Sequence, residues 1–338
     1  VAIAEIVSDE DDDVGWGGAV TMEGPGIPQF IGCSFEGNRA RSENNSGRGG
    51  AVQIEYWQPD YGTNVLFSRC IFVDNVAEGN NGGAHGGAIY TSAPFEMVNS
   101  IVVKNRVQGN HGSGGGLCIQ INEQNGTQGH SLLINNTIVD NEVTDNTGNH
   151  AYSGGGISAM NSSTQGGLWF NNIIFGNNSE HGNSIMVDGS ANIDMAYLNV
   201  DDEEGKSWFD DATMITDKPK FRNPTAGDYR LSFTSQLIDA GAASYGGENA
   251  PRVDYRNYYR LGLPDIGALE AGASKYILAM EDDITEDKDT TFVSLSQEVK
   301  FTVTTGDIDG NIVTNSNEPV KWDIFPNQKY ARVSTTAD

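Results

Sequence analysis

The chain of 338 residues contains few positive charges. Its 20 lysine and arginine residues stand against 46 aspartate and glutamate residues, which gives a formal net charge of −26. Phosphate backbones and anionic membrane surfaces attract proteins of the opposite sign, so neither nucleic acid nor anionic lipid is an expected partner. Divalent cations suit this charge better, and calcium is therefore the one cofactor that the composition favours.

The chain also has no long apolar run, few cysteines and histidines, and little proline, and each of these features makes a class of protein less expected. No run of about eighteen apolar residues occurs, so we expect no membrane insertion. The 3 cysteines have no zinc-binding spacing and the 5 histidines share no repeat position, so metal catalysis is not expected. With 10 prolines against 42 glycines, the composition favours neither a Pro-rich disordered chain nor a helical protein.

Glycine is abundant, and it occurs in a repeated pattern. Two glycines, or a weakened version of the pair, precede a small and an aliphatic residue in copies that begin at Gly17, Gly49, Gly86, Gly114, Gly154 and Gly182. A second pattern, of the form Cys33-x-Phe35-x-x-Asn38, alternates strictly with the first. A degenerate copy at residues 4–9 leads us to expect that the chain begins partway through a repeat.

The two patterns predict short strands joined by variable loops. Each holds a few apolar residues at a spacing of two, which is too short for a helix and right for a strand. The repeat period varies between about 28 and 40 residues, so the extra length must lie in loops. We therefore predict an all-β protein in which residues 1–205 form a right-handed parallel β-helix, a solenoid of about six coils.

Stacked coils give the repeated residues a structural role. Glycine fits corners where the next coil lies about 4.8 Å away. The closing asparagines of the second pattern are predicted to stack as one ladder, formed by Asn38, Asn75, Asn105, Asn141 and Asn177. Cys33 and Cys70 share a column, and we expect reduced, buried thiols because in-register side chains oppose the torsion of a disulfide.

Several of these motifs resemble known families. The GGA[ILV] repeats, with "FEGN" at 35–38 and "FVDN" at 72–75, resemble chlamydial polymorphic outer-membrane proteins, which are β-helical surface adhesins. "GDYRL" at 227–231, "SQLIDAGA" at 235–242 and "PDIGALE" at 264–270 resemble the closing segment of secreted bacterial parallel β-helix proteins. This resemblance implies that residues 206–272 close or cover the end of the helix. It also implies an extracellular location at the bacterial cell surface.

Residues 273–338 differ from the repeats in composition. They alternate in the manner of strands around one central tryptophan, Trp322, and resemble a bacterial immunoglobulin-like β-sandwich module. The final strands of such a module are missing, so we expect an incomplete domain. Both ends of the chain thus indicate a segment of a larger extracellular protein.

Candidate functional residues are few. A polysaccharide lyase of this fold needs a lysine or arginine base beside carboxylates, and Arg69 and Arg106 are the best candidates. Solvated arginines on the outer face of a strand are the alternative interpretation. No residue is predicted to be catalytic, although the question of enzymatic activity stays open at this point.

Two aromatic clusters and one acidic loop are candidates for ligand binding. Tyr56, Trp57 and Tyr61 crowd the first long loop, where their rings could stack on sugars or pack the loop onto the helix. A second cluster consists of Tyr255, Tyr258 and Tyr259. Oxygen ligands alternate around a glycine turn at Asp307, Asp309 and Asn311, which suits calcium and also suits a β-hairpin turn.

The preferred prediction is an extracellular structural or adhesive protein that acts as a non-catalytic scaffold or adhesin. Its expected partners are surface glycans or other copies of itself. Assembly into fibres or a sheath could use the apolar strand at residues 1–7, which a neighbouring chain would complete by strand addition. The alternative is a polysaccharide lyase or glycan-binding protein that acts on acidic polysaccharide.

Overall fold

The computed structural model describes most of the repeat region and less of the C-terminal region. The described residues are 15–23, 27–55, 64–79, 82–120, 130–145, 154–159, 166–179, 184–187, 192–201, 209–210, 212–260, 262–271, 275–280 and 301–306. The chain divides into two units, residues 1–273 and 274–338.

Four parallel sheets run along the first unit. Sheet I contains β1 (Val20–Glu23), β6 (Val52–Glu55), β11 (Ile89–Thr91), β15 (Leu117–Ile119), β19 (Ile157–Ala159) and β22 (Ile185–Val187). Sheet II contains β2 (Gln29–Ile31), β7 (Val65–Ser68), β12 (Phe95–Val98), β16 (His130–Ile134), β20 (Gly166–Phe170) and β23 (Asn192–Ala196). Sheet III contains β3 (Ser34–Glu36), β8 (Ile71–Val73), β13 (Ile101–Val103), β17 (Thr137–Val139), β21 (Ile173–Phe175) and β24 (Asn199–Val200). Sheet IV contains β4 (Arg39–Ser42), β9 (Val76–Gly79), β14 (Arg106–Gly109) and β18 (Glu142–Asp145).

The chain visits these sheets in turn, which makes a parallel β-helix. One coil, for example, passes through β6, β7, β8 and β9 before the chain returns to sheet I at β11. Each strand pairs in parallel with the equivalent strand of the next coil, as β8 does with β3 and β13. A small parallel pair, β5 (Gly47–Arg48) and β10 (Ala84–His85), lies just before sheet I in the chain. The prediction of an all-β protein built on a parallel β-helix is confirmed.

The interior of the helix is filled by alternate residues of the strands. Because side chains alternate across a strand, Val52 and Ile54 of β6 point inward, and equivalent residues of the next coils stack on them. Aromatic rings follow the same rule: Phe35 stacks on Phe72 with ring centroids 4.7 Å apart. The core is therefore a set of columns whose members are one coil apart.

Glycine stands at the corner before sheet I because two coils meet there backbone to backbone. A Cβ atom built at Gly87 would lie 2.1 Å from the carbonyl oxygen of Gly115 in the next coil. Elsewhere the corners need a left-handed backbone, and non-glycine residues adopt it: φ is 55° at Asp74, 57° at Lys104 and 57° at Asp140. The first kind of corner excludes any side chain, whereas the second accepts one.

The closing segment lies mainly along the side of the helix. Met214 joins the interior core and Ile215 pairs with Asn199, so a few residues of the segment lie on the last coil. The remainder packs on the outward apolar face of sheet III, where Tyr229 and Ile266 belong to one cluster with residues of β13, β17 and β21. The sequence did not predict this lateral position, because the outward residues of sheet III had been assigned no partner.

The closing segment has little regular structure of its own. Its elements are β25 (Phe221–Asn223), a short 3-10 helix (Pro224–Ala226), β26 (Asp228–Leu231), β27 (Ser244–Tyr245) and β28 (Glu248–Asn249). β25 pairs with β26 and β27 pairs with β28, both antiparallel. Residues outside these elements, such as Ala242, Val253 and Asp265, accept hydrogen bonds from the helix.

The second unit is described through one strand pair. β29 (Lys275–Met280) and β30 (Phe301–Gly306) are antiparallel. Such a pair occurs in an immunoglobulin-like sandwich and in many other β folds. The immunoglobulin-like interpretation, including the position of Trp322 and the missing final strands, rests on residues outside the described part and stays a prediction.

The two kinds of corner predict different responses to substitution. Replacing Gly87→Ala forces a methyl group against the backbone of the next coil, so we expect the free energy of unfolding to fall by about 3 kcal/mol. Gly37 has φ of 66° with nothing within 4 Å of its Cβ position, and Gly37→Asn should cost less than about 1 kcal/mol. Urea denaturation of both variants measures the difference. Equal losses would contradict the account of the corners.

Candidate functional site

A continuous asparagine ladder joins sheet III to sheet IV. Its members are Asn38, Asn75, Asn105, Asn141 and Asn177. Within it, Asn105 Oδ1 accepts hydrogen bonds from the Asn75 backbone N–H at 3.0 Å and from Asn75 Nδ2 at 2.8 Å. Asn105 Nδ2 in turn donates to Asn141 Oδ1 at 2.9 Å and to the carbonyl of Phe72 at 3.0 Å. One side chain thus links three successive coils.

A second ladder, which the sequence reading missed, joins sheet II to sheet III. Its column is Cys33, Cys70, Ser100, Asn136 and Asn172. Asn136 Nδ2 donates to Asn172 Oδ1 at 3.0 Å, and Ser100 Oγ accepts from the Cys70 backbone N–H at 3.1 Å. The sequence could have predicted this ladder, because these residues open the second repeat pattern. The column was not recognised because its members are of three types: cysteine, serine and asparagine.

The cysteines of this ladder are reduced thiols. Cys33, Cys70 and Cys118 are all free. Cys70 is buried as predicted, but Cys33 is only partly buried, because it precedes β3, the edge strand of sheet III. Burial raises the pKa of the Cys70 thiol to about 12, and the negative charge that Cys33 would carry contributes to the same direction. Such a thiol is neither a nucleophile nor a metal ligand at neutral pH. Its role is that of a small apolar residue with a weak hydrogen bond.

A third column, on the outside of the helix, holds the closing segment. Its members all have left-handed backbone: Arg69, Asn99, Asn135, Asn171 and Tyr197. The first four each lie one residue before a member of the second ladder, and Tyr197 precedes Leu198. Four of them bond to the closing segment directly. The contacts are Arg69 Nη1 to Asn257 Oδ1 (2.8 Å), Asn99 Nδ2 to Val253 O (2.7 Å), Asn135 Nδ2 to Asp265 O (2.9 Å) and Asn171 Nδ2 to Ala242 O (2.8 Å).

A buried ionic network completes this attachment. Arg260 pairs with Glu270 at 2.8 Å, and both side chains are almost fully buried. The same guanidinium donates to Asn99 Oδ1 at 2.8 Å, which ties the network to the helix. Arg256 pairs with Asp254 in the same segment at 2.6 Å. The charged residues of this network therefore hold the segment together and do not form a free acidic surface.

Two carboxyl groups of the network have raised pKa values. Burial raises the pKa of Asp265 to about 6, although backbone N–H donors from Ala271 and Asp239 act in the opposite direction. Burial also raises the pKa of Glu270 to about 7, and the charge of Asp265 adds to this. One carboxyl oxygen from each of Asp239, Asp265 and Glu270 lies within 4.8 Å of the others. Arg260 and backbone N–H groups bind the oxygens of Asp265 and Glu270, so these two carboxylates have a structural role.

Polar side chains are buried on the outward face of sheet I. Tyr90 and Cys118 lie side by side on neighbouring strands, and the Tyr90 hydroxyl donates to Gln120 Oε1 at 2.8 Å. Burial raises the pKa of Cys118 to about 12. Burial lowers the pKa of His85 to about 4, with the positive charge of Arg48 as a smaller cause. At neutral pH this face therefore offers a protonated thiol and an uncharged imidazole, which do not form a nucleophilic pair.

The two candidate lyase bases have structural contacts. Arg69 belongs to the third column and donates to Asn257 of the closing segment. Arg106 is exposed on sheet IV and pairs with Glu142 of the next coil at 3.2 Å. Arg69 lies at the corner that follows β7 and Arg106 lies on sheet IV, and among the described residues the two do not meet around one group of carboxylates.

The other predicted site residues have mixed outcomes. Tyr255 packs on the core beneath the closing segment, the Tyr258 ring lies 5.2 Å from the Arg256 guanidinium carbon, and Tyr259 is exposed. The rest of the predicted sites lie outside the described residues. These are the sugar-contact cluster Tyr56, Trp57 and Tyr61, the calcium candidates Asp307, Asp309 and Asn311, and the strand at residues 1–7.

Comparisons with known proteins found no protein similar to this chain. The chain matches no family model, no curated protein and no solved structure. In the part of the chain that the structure describes, no helix has the length and apolar character that crossing a membrane requires.

In the asparagine ladder that joins sheet III to sheet IV, a substitution in the middle should destabilise the protein more than a substitution at the end. Asn105→Ala removes the acceptor of two donors on Asn75 and the donor to Asn141, so we expect a loss of about 3 kcal/mol in the free energy of unfolding. Asn38→Ala, at the partly buried end, leaves Asn75 Oδ1 with the backbone N–H of residue 38 and should cost about 1 kcal/mol. Chemical denaturation compares the two. A similar loss in both variants would argue against a cooperative ladder.

The raised pKa values predict a pH-dependent stability. An acid whose pKa is higher in the folded state binds its proton more tightly there, so it favours folding most below its unfolded pKa. The free energy of unfolding should therefore fall as pH rises from about 4 to about 7, by on the order of 2 kcal/mol per carboxyl. Glu270→Gln removes one of these groups and should flatten the profile. The exposed Glu142→Gln variant serves as the control, and urea midpoints across the pH range give the measurement.

Proposed function

We propose that the protein is an extracellular structural or adhesive protein whose β-helix is a rigid, non-catalytic scaffold at a bacterial surface. The observation that supports this proposal is the use of the repeated residues. The glycines of the first pattern allow coils to approach, and the asparagines of the second bond one coil to the next. A sequence that repeats these features in every coil is devoted to holding an elongating solenoid together.

The position of the arginines supports a non-catalytic role. Catalysis by a lyase requires a base that reaches substrate beside acidic groups. Arg69 bonds to Asn257, and Arg106 bonds to Glu142, so each has a structural partner. The lyase alternative loses its two best candidates for the base, among the residues that the structure describes.

The charge and the motifs favour a surface location. A net charge of −26 keeps copies of the protein apart in solution and allows divalent cations to bridge them or to bridge the protein to anionic glycans. The repeats and the closing segment resemble those of secreted β-helix proteins, including surface adhesins. Glycans and further copies of the chain are the partners that follow from this proposal, and calcium is the cation that would mediate the contact.

Adhesion and catalysis are distinguished by two assays on the purified chain. Polygalacturonate, alginate and hyaluronan should remain intact, with no rise in unsaturated-uronate absorbance or in reducing ends. Beads coated with the protein should bind cells, immobilised glycans or one another, and EDTA should reduce that binding. Turnover that disappears in Arg69→Ala or Arg106→Ala would contradict the proposal in favour of a lyase. Beads that bind nothing would contradict the adhesive role.

A further inference from the structure

A row of exposed cations lies on the closing segment. Lys218, Lys220 and Arg222 are exposed and alternate with Pro219, which is buried, and Phe221, which is half-buried. These five positions hold three of the chain's 20 lysine and arginine residues, with no carboxylate between them. Alternate residues of an extended chain lie about 7 Å apart. The three charges therefore form a line along the surface.

The pairing of β25 with β26 gives this row a rigid support. Phe221 of β25 packs against the cluster on the outward face of sheet III, where its ring centroid lies 5.4 Å from that of the buried Tyr229. The Ser232 N–H donates to the Lys220 carbonyl at 2.7 Å, which extends the pairing one residue beyond β25. The apolar side of the row is thus fixed to the helix, so the cations on the other side keep their places.

Two cations of the row bond to uncharged groups. Arg222 Nε donates to the Leu231 carbonyl at 3.3 Å, and Lys220 Nζ donates to the Thr234 carbonyl at 3.2 Å. Most other arginines in the described part pair with a carboxylate: Arg39 and Arg41 with Glu78, Arg48 with Glu55, Arg106 with Glu142, Arg230 with Asp228, Arg256 with Asp254 and Arg260 with Glu270. Lys220 and Arg222 therefore present positive charge to the solvent.

The nearest carboxylates neutralise the row only in part. Asp228 accepts from Arg230 Nε at 2.8 Å and from Arg230 Nη2 at 2.7 Å. Those bonds lower the pKa of Asp228, and the charge of Arg222 is the smallest cause of the shift. Burial raises the pKa of Asp140, and the charges of two lysines, Lys218 among them, act in the opposite direction. Lys218 is thus partly balanced, whereas Lys220 and Arg222 keep most of the free charge.

An exposed aromatic ring adjoins the row. Phe233 is 76% exposed, the highest value among the exposed large hydrophobic residues of the described part. The Arg222 guanidinium carbon lies 4.8 Å from the centre of its ring. The pair offers a ligand an aromatic surface next to a positive charge. A sugar ring can stack its C–H face on the first while an acidic substituent pairs with the second.

The shape of the row favours a linear polyanion. Segments rich in lysine and arginine are typical of surfaces that bind heparin-like polymers, because repeated charges on the polymer meet repeated charges on the protein. Phe233 favours a polymer of sugar rings over an acidic peptide, whose carboxylates carry no ring. A second copy of the chain is also acidic, but three cations and one ring are a small surface beside the roughly 1,000 Å² of a specific protein interface.

We propose that Lys218, Lys220, Arg222 and Phe233 bind an acidic polysaccharide, with carboxylate or sulfate groups on the cations and one sugar ring on Phe233. The site is separate from the predicted aromatic and calcium loops, and it binds the polymer directly, without calcium. The inference rests on the proposed adhesive role in naming a glycan as the partner.

The test is a titration of the full chain in EDTA, followed by calorimetry at about 50 mM and about 200 mM NaCl. The probes are polygalacturonate, heparin, dextran and polyglutamate. We expect at least one of the two acidic polysaccharides to bind more tightly than polyglutamate, to bind less tightly at high salt, and to bind where dextran does not. Failure of both acidic polysaccharides would overturn the proposal. Polyglutamate that binds as tightly would overturn the assignment to a glycan in favour of an acidic protein.

Two variants locate the site. Lys220→Gln combined with Arg222→Gln removes two exposed charges and should weaken binding about tenfold. Phe233→Leu keeps an apolar side chain but removes the ring, and should weaken binding about fivefold. The matched control is Arg39→Gln combined with Arg106→Gln, which removes two exposed charges from sheet IV and should leave affinity unchanged. Equal weakening in the control would show a general effect of charge and overturn the site.

Two further results separate this site from the adhesive role and from self-assembly. Beads that bind cells only with calcium, while no polymer binds in EDTA, would overturn this site and leave the adhesive role standing. Polymers that bind in EDTA while the beads bind no cells would support this site and contradict the adhesive role. Self-association measured by sedimentation, if Lys220→Gln with Arg222→Gln abolished it, would overturn the assignment in favour of a second copy of the chain.

Discussion

The spacing between coils is the constraint on which the rest of the structure depends. Parallel strands lie about 4.8 Å apart, so every residue meets its equivalents one coil above and below. A corner where backbones touch must then be glycine in each coil, as at Gly87 and Gly115. A buried polar residue must find its partner in its own column, as Asn105 does in Asn75 and Asn141. Repetition of the sequence is therefore a direct consequence of repetition in space.

Amide side chains suit this geometry because they both donate and accept. An asparagine at a ladder position satisfies the coil before it through Oδ1 and the coil after it through Nδ2, so a column can continue without a break. In the N-terminal coils the second ladder has cysteine and serine instead: the Cys70 backbone N–H donates to Ser100 Oγ, whereas Cys70 Sγ donates to the Phe30 carbonyl outside the ladder. The outer asparagines use the same property differently. Asn99, Asn135 and Asn171 adopt left-handed backbone and direct their amides to the closing segment.

Buried charge is concentrated where the chain folds back on itself. The closing segment covers the apolar face of sheet III, and its Arg260–Glu270 pair bonds to Asn99 in the middle of that contact. Removing one partner of such a pair is costly, because the remaining charge stays buried. The outward face of sheet I instead buries neutral polar side chains, where the Tyr90 hydroxyl donates to Gln120 Oε1.

The sequence alone determined the coils, the interior columns and the first asparagine ladder, because each depends on residues that recur at equivalent positions. It also indicated the second ladder, in which Cys70 and Ser100 conceal the column that Asn136 and Asn172 make plain. The lateral position of the closing segment, the role of Arg69 and the buried pair of Arg260 and Glu270 were decided only by the tertiary structure. Arg260 and Glu270 follow no repeat. Contacts between non-equivalent residues have no period in the sequence, and folding alone brings them together.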